Sequence, residues 1–257
     1  MHNHVSMERL KDRLRGTRVW ASLATARYKL AKRRRRAGAR LALRLFYRRK
    51  GAPATVIRHG TTSEPWIALT FDDNYDTDRS LATLDILSRN GVPASIFVTG
   101  QWVNEYPEVT QRIAAGPFEI GDHSLSHPDL RQLSLKRVLA EIGGGVGAFE
   151  ALMGVSTAPL FRPPGGYLNE KVAAVAGVKG FPYMVLWDID PKDWAGVPAD
   201  TIEDCVVRGA HNGAIVLLHL SAPHTCEALP NIIASLRERG YEFVTVTEMI
   251  RAGCQGS

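Results

Sequence analysis

Ile67-Ala68-Leu69-Thr70-Phe71-Asp72-Asp73-Asn74 is an apolar run that ends in two adjacent carboxylates and an amide. The run suits a buried strand, and the acids fall where that strand would emerge. Neighbouring strand residues point to opposite faces, so two consecutive Asp rarely serve one core. Where the backbone curls at a strand end, both can face one cleft. Open α/β sheets and barrels carry their chemistry at that carboxyl edge. Alone, Asp-Asp-Asn could equally open a turn.

Outward from this stretch the chain alternates. The strand Trp66–Phe71 is followed by helical spacing of Leu81, Leu84, Ile86 and Leu87 over Thr77–Arg89, stopped at Gly91. A strand is expected at Ala94–Val98, a helix near Val103–Ala115, a short strand at Phe118–Gly121, and a helix from a Ser134 cap to Leu152. That last helix contains Gly143, Gly144, Gly145 and Gly147, each weakening it by roughly 1 kcal/mol, and the pattern alone does not explain them. Further strands are expected near Leu160, Met184–Trp187, Ile215–Leu218 and Phe243–Val246, separated by helices near Glu170–Ala176, Thr201–Arg208 and Ala228–Arg239. Apolar strands alternating with helices imply an α/β fold with a parallel sheet, and about seven such strands could close into an irregular barrel.

The chain has 257 residues and a net charge of +6 that is unevenly spread. Residues 1–50 hold 17 Lys/Arg against 2 Asp/Glu, leaving 15 against 24 in the remainder. A basic arm, residues 1–51, thus precedes a mildly acidic domain, residues 52–257, with Gly51-Ala52-Pro53 as the break. Three readings of the arm stand side by side: a solvated tail, a segment docking on anionic lipid or cell-wall polyanions, or a non-specific phosphate binder. Nothing in it reads bases, so no specific nucleic-acid partner is expected. Its longest apolar-leaning patch, Val19 to Ala26, is far too short to span a bilayer, and no signal peptide is readable. Cys205, Cys226 and Cys254 are far apart, fit no close-spaced zinc pattern, and read as free thiols.

Four other stretches bear groups that do chemistry. His123-Ser124-Leu125-Ser126-His127 sets two imidazoles four apart, a two-point metal grip if helical, for which Asp72 and Asp73 are candidate oxygen donors. Two imidazoles and one carboxylate leave positions open for water and substrate, the catalytic arrangement. Phe161-Arg162-Pro163-Pro164-Gly165-Gly166-Tyr167 is a stiff loop whose glycines permit close approach to a ligand, and Arg162 could hold an Asp ionised. Trp187-Asp188-Ile189-Asp190-Pro191-Lys192-Asp193-Trp194 mixes acids with indoles, as a sugar-binding wall does. Ile215-Val216-Leu217-Leu218-His219 ends an apolar strand in a histidine that, opposite a metal site, becomes a candidate general acid. Taken singly, each has a structural reading as well: a turn, a strand end or a satisfied core histidine.

Taken together and in this order, these five pieces resemble the polysaccharide deacetylase family over about residues 65–250: Thr70-Phe71-Asp72-Asp73, His123 to His127, Arg162-Pro163-Pro164-Gly165, Asp190-Pro191-Lys192-Asp193-Trp194 and Leu217-Leu218-His219. The resemblance implies a distorted (β/α) barrel and a divalent metal, usually zinc. It implies removal of N-acetyl groups from N-acetylglucosamine-containing polymers or oligomers of peptidoglycan or chitin type. By position it implies Asp72 as catalytic base, Asp73, His123 and His127 as metal ligands, Arg162 as the residue orienting Asp72, and His219 as general acid tuned by Asp193. Trp194 and Leu217 would wall the acetyl pocket, with Gly165 and Tyr167 beside the substrate. Two positions depart from the family pattern. Asn74 stands where Gly is usual, and Gly165 stands where Tyr is frequent, with Tyr167 two residues later. The second departure leaves a small amide or acetylated metabolite as an alternative substrate, and a non-catalytic polyanion or carbohydrate binder as a third reading. The family usually works at the cell surface, yet with no readable export signal the cytoplasm stays open.

Overall fold

The computed structural model describes residues 52–72, 77–155 and 157–255. The basic arm, Asp73 and Asn74 lie outside the described residues. The elements run β1 (Thr55–Ile57), β2 (Trp66–Asp72), α1 (Thr77–Arg89), β3 (Ala94–Val98), α2 (Gly100–Glu105), α3 (Pro107–Ala114), β4 (Phe118–Asp122), α4 (Leu135–Glu141), α5 (Gly144–Met153), β5 (Leu160–Phe161), α6 (Glu170–Val178), β6 (Tyr183–Val185), α7 (Ala199–Gly209), β7 (Ala214–His219), α8 (Thr225–Glu238), β8 (Glu242–Phe243) and α9 (Val246–Gln255). The strands form one sheet in the order β1-β6-β5-β4-β3-β2-β7, with β8 beside β2, and every pairing is parallel. A single bridge, Ile189 to Val216, joins the stretch after β6 to β7 and draws the two sides of the sheet together. The result is the expected barrel-like sheet ringed by helices.

Alternation along the strands builds two cores. Ile67, Leu69 and Phe71 of β2 belong to the cluster that includes Leu84 and Leu87 of α1 and Leu229 and Ile233 of α8. Ala68 belongs to an interior cluster with Phe97, Leu160, Val185 and Ile215. Thr70 and Asp72 follow Ala68 on the same face, so the interior row turns from apolar to polar toward the carboxyl edge. The register aligns Asp72 with His219, Val98 with Asp122, and Asp122 with Phe161. The ends of β2, β4, β5 and β7 therefore share one rim.

Several expected boundaries move. The helix near Val103–Ala115 is two helices, α2 and α3, parted at Tyr106 because Pro107 takes the first position of the second. The helix from Ser134 to Leu152 is also two. Ser134 caps α4 as expected, but Gly143 at φ 91° turns the chain left-handed and starts α5 afresh. This accounts for the glycine run. A Cβ at Gly145 would sit 1.8 Å from the carbonyl oxygen of Val98, so only glycine lets the start of α5 lie against the end of β3. The last strand is only Glu242–Phe243, and Val246 already begins α9, whereas β1 had no signal beyond three residues of β-branched character.

Gly145→Ala is expected to destabilise the fold by about 1–3 kcal/mol through overpacking. Gly147, also in α5, would bring its new methyl within 4 Å of nothing. Gly147→Ala is therefore expected to be neutral or stabilising by up to about 1 kcal/mol. Urea midpoints of the two variants against the parent check this, and equal effects would refute the packing account.

Candidate active site

Asp72 closes β2 and is 6% exposed. The guanidinium of Arg162, fully buried at the end of β5, meets it: Nη1 donates to Asp72 Oδ1 at 2.8 Å and Nη2 to Thr70 Oγ1 at 2.7 Å. Nε donates to the carbonyl of Val185 at 3.3 Å, and the guanidinium lies 4.1 Å from the centroid of the Phe97 ring. Thr70 in turn donates to the Val216 carbonyl at 2.6 Å. Burial works to raise the Asp72 carboxyl, but its electrostatic interactions with His123, Arg162 and His219, together with the Arg162 hydrogen bond, outweigh it and hold it below its ordinary value. Asp72 is thus an ionised carboxylate with one oxygen pinned and the other, Oδ2, turned 3.4 Å from His123 Nε2.

His123 follows β4. Its Nδ1 lies 2.8 Å from the carbonyl of Arg162, so that nitrogen carries the proton and Nε2 presents its lone pair. Burial is the main force that pushes the ring down to about 4, and the neighbouring His127 adds to it, so the imidazole is neutral near pH 7. Nε2 is buried without a hydrogen-bond partner. The His123–His127 segment is not helical: Ser124 at φ 75° and His127 at φ 57° fold it into a tight loop. Its two rings nevertheless stand 4.9 Å apart, centroid to centroid. The loop is held from below. Ser124 Oγ accepts the His127 N–H at 3.0 Å, and Glu141 at the end of α4 accepts both the N–H and the hydroxyl of Ser126, at 3.0 and 2.9 Å.

Asp122, buried beside His123, accepts four N–H groups, from Ser124, Gly143, Gly145 and Val146, at 2.8 to 3.2 Å. It locks the start of α5 onto the histidine loop. Its place just before His123 in a strand was a sequence signal passed over, and the glycine run was its other half.

His219 ends β7 across from Asp72. Asp193 accepts a hydrogen bond from its ring Nδ1 at 2.7 Å through Oδ1 and from its backbone N–H at 2.7 Å through Oδ2. The same carboxylate accepts Thr225 Oγ1 at 2.7 Å and the Trp194 N–H at 2.9 Å. Burial would lower the imidazole, but the Asp193 hydrogen bond and charge, with Asp72 adding, raise it above its ordinary value. Leu217 is 4% exposed and shares the His219 face of β7. Trp194 and Tyr167 are 58% and 49% exposed and stand on loops around the rim rather than in a buried wall. Gly165, at φ 61°, sits in the turn after Arg162. His211 pairs with Asp188 at 2.8 Å and His224 with Glu227 at 2.9 Å.

Among the described residues no group of three or more His, Cys, Asp and Glu is arranged to hold a metal ion. The third ligand expected from the sequence, Asp73, lies outside them. The donors that are described do fit a divalent cation. The neutral imidazole of His123, its tautomer fixed and its lone pair orphaned in a buried site, faces a carboxylate oxygen and stands beside a second imidazole, donors of the kind a divalent cation takes.

Residues 59–184 match the family model described as polysaccharide deacetylase, a span that contains Asp72, His123, His127 and Arg162. A peptidoglycan-N-acetylglucosamine deacetylase of Bacillus cereus is 35% identical over 193 residues, covering 74% of this chain and 90% of that protein. Among solved structures, a peptidoglycan N-acetylglucosamine deacetylase in complex with an N-hydroxybenzamide superposes with a TM-score of 0.72 at 30% identity, over 76% of this chain and 92% of that one. A family 4 pseudoenzyme from Bacillus anthracis superposes with a TM-score of 0.71 at 29% identity, over 77% of this chain and 69% of that one. Identity of 35% over most of both chains places this one in the polysaccharide deacetylase family.

Proposed function

We propose that this protein is a metal-dependent hydrolase that removes N-acetyl groups from N-acetylglucosamine-containing glycan of the peptidoglycan type. The observation that carries the reading is Asp72, held ionised by buried Arg162, facing the unpartnered Nε2 of His123. Deacetylases of this family are generally metal-dependent. Two imidazoles with a carboxylate suit zinc, so His123 and His127, with Asp73 as the third ligand, would hold Zn²⁺. A divalent cation there supplies Lewis acidity to the acetamide oxygen and to a water.

The chain's own residues do the rest. Asp72 Oδ2 takes a proton from the attacking water, while Arg162, itself held by Thr70, keeps the carboxylate charged and oriented. The N–H of Gly165, on an exposed turn, is the donor for the oxygen that gains charge. Asp193 fixes His219 with its proton on Nδ1, so Nε2 is the atom that delivers a proton to the departing amine. Acetate and a free amino sugar result. Leu217 and Trp194 would face the acetyl group, and Tyr167 the sugar. The relatives named for peptidoglycan favour that glycan, and a net charge of +15 on residues 1–50 suits docking on anionic lipid or cell-wall polyanion, a reading in which the protein works at the cell surface.

The alternative of a non-catalytic binder has a precedent in the fold of the Bacillus anthracis pseudoenzyme. Against it stand two tuned pairs, Asp72–Arg162 and His219–Asp193, that binding alone does not need.

Acetate release from N-acetylglucosamine oligomers or peptidoglycan is expected to stop on chelation, return with zinc, and fall by about 10²–10⁴-fold in Asp72→Asn. Turnover that survives both treatments sinks the mechanism. Exclusive turnover of small amides in the same panel would transfer the activity to that substrate class.

The pH profile tests the second pair. His219 must be protonated to act, so activity is lost as pH rises through its raised value. Asp193→Asn removes the partner that raises it, and the alkaline limb of kcat should move to lower pH. An unmoved limb would remove His219 from the role of general acid.

A further inference from the structure

We propose that Arg131 is a positioning residue for the substrate wall, holding the ring of Tyr167 across Gly165 beside the active site. The inference rests on the deacetylase reading for its substrate, an N-acetylated glycan long enough to contact the rim. Arg131 lies four residues after His127, and Tyr167 five after Arg162, so the two come from the two loops that flank Asp72. The guanidinium carbon of Arg131 stands 4.0 Å from the Tyr167 ring centroid. Asp129 fixes the guanidinium in a two-point fork, Nε to Oδ1 at 2.9 Å and Nη2 to Oδ2 at 2.8 Å, and also accepts the Arg131 N–H at 3.0 Å. On the far side of the loop, Lys171 of α6 donates to the carbonyls of Arg131 and Leu133.

The reason for the arrangement lies at Gly165. A Cβ there would be 2.9 Å from Tyr167 Cε2 and 3.1 Å from Cδ2, so the ring occupies the space that a side chain at 165 would fill. An aromatic ring 49% exposed on a surface turn has no core to hold it. Arg131 supplies the hold, since a planar guanidinium stacks on a tyrosine and a fork to a carboxylate costs it little further freedom. The histidine loop and the turn that carries the Gly165 N–H are thereby tied at one point. A glycan reaching Gly165 must pass this stacked pair, so Arg131 acts on substrate binding through Tyr167 rather than on the reacting bond.

The test compares Arg131→Ala, Tyr167→Ala and the double variant in the full chain, with Tyr167→Phe as the conservative control. Three readouts are taken: kcat and KM on an N-acetylglucosamine tetramer, zinc content, and amide hydrogen exchange of residues 165–168. Arg131→Ala is expected to speed exchange in that turn, to raise KM by about two- to fivefold with a smaller change in kcat, and to leave zinc content unchanged. Tyr167→Ala should match it, Tyr167→Phe, which keeps the stacked ring, should leave exchange in the turn as slow as in the parent, and the double variant should be no worse than either single. Unchanged exchange in Arg131→Ala, loss of zinc, or effects of the two single changes that multiply would each overturn the proposal. If the parent turns over no N-acetylated glycan, the functional reading fails, while exchange in the turn still decides whether Arg131 holds Tyr167.

Discussion

The ion pair between Arg162 and Asp72 is the constraint that the rest of the site obeys. Both groups lie inside the sheet, where an isolated charge would cost several kcal/mol of lost hydration even after relaxation. The cost is tolerable because the two charges face one another and the guanidinium has further partners. Arg162 spends its donors on Asp72, Thr70 and the Val185 carbonyl and lies against Phe97. Those partners come from β2, β3 and the end of β6, so the guanidinium can be satisfied only when the parallel strands are in register. The same residue's carbonyl fixes the tautomer of His123. One arginine thus sets the charge of Asp72 and the lone pair of His123, and removing it would leave Asp72 buried without its counter-charge.

Two further carboxylates act by fixing the groups around them. Asp122 gathers four backbone donors, three of them from the start of α5, and Asp193 gathers four donors around His219 and its own turn. In each case a single acidic side chain immobilises a strand end and the loop that follows. Rigid loops on a rigid sheet are what a reaction needs when a proton donor and a proton acceptor must stand on opposite sides of one small acetyl group. The pseudoenzyme in the same fold marks the boundary of what the architecture alone supplies: the sheet presents a rim, and the residues at its strand ends make it chemical.

Much of this was legible in the amino-acid sequence. The strand Trp66–Phe71, the helix Thr77–Arg89 and its glycine stop, and the strand Ala94–Val98 follow from local pattern because each buries its apolar face in the simplest way. Asp72, His123, Arg162, Asp193 and His219 stood out because charged or imidazole groups at the ends of apolar runs have few structural uses in such number. Less legible were Thr70, Asp122, Glu141 and Thr225, whose partners are far away in sequence or sit on backbone amides that carry no side-chain signature. The glycine run looked like a weakness in one helix, and is instead the seam at which a second helix starts against Val98.

By itself, then, the order of residues determined the alternation of strands and helices, the strand ends at which acids and histidines stand, and the family to which they belong. Periodicity and chemistry are local properties, readable without knowing what packs on what. Only the tertiary structure decided that the histidine loop is folded by two left-handed residues rather than wound as a helix. It also decided that the lone pair of His123 is left unshared and that Tyr167 lies over Gly165 beneath Arg131. Each of these depends on which side chains the parallel register and the close seam at Gly145 bring within hydrogen-bonding or stacking distance, and distance across a fold is not written in any short stretch of the chain.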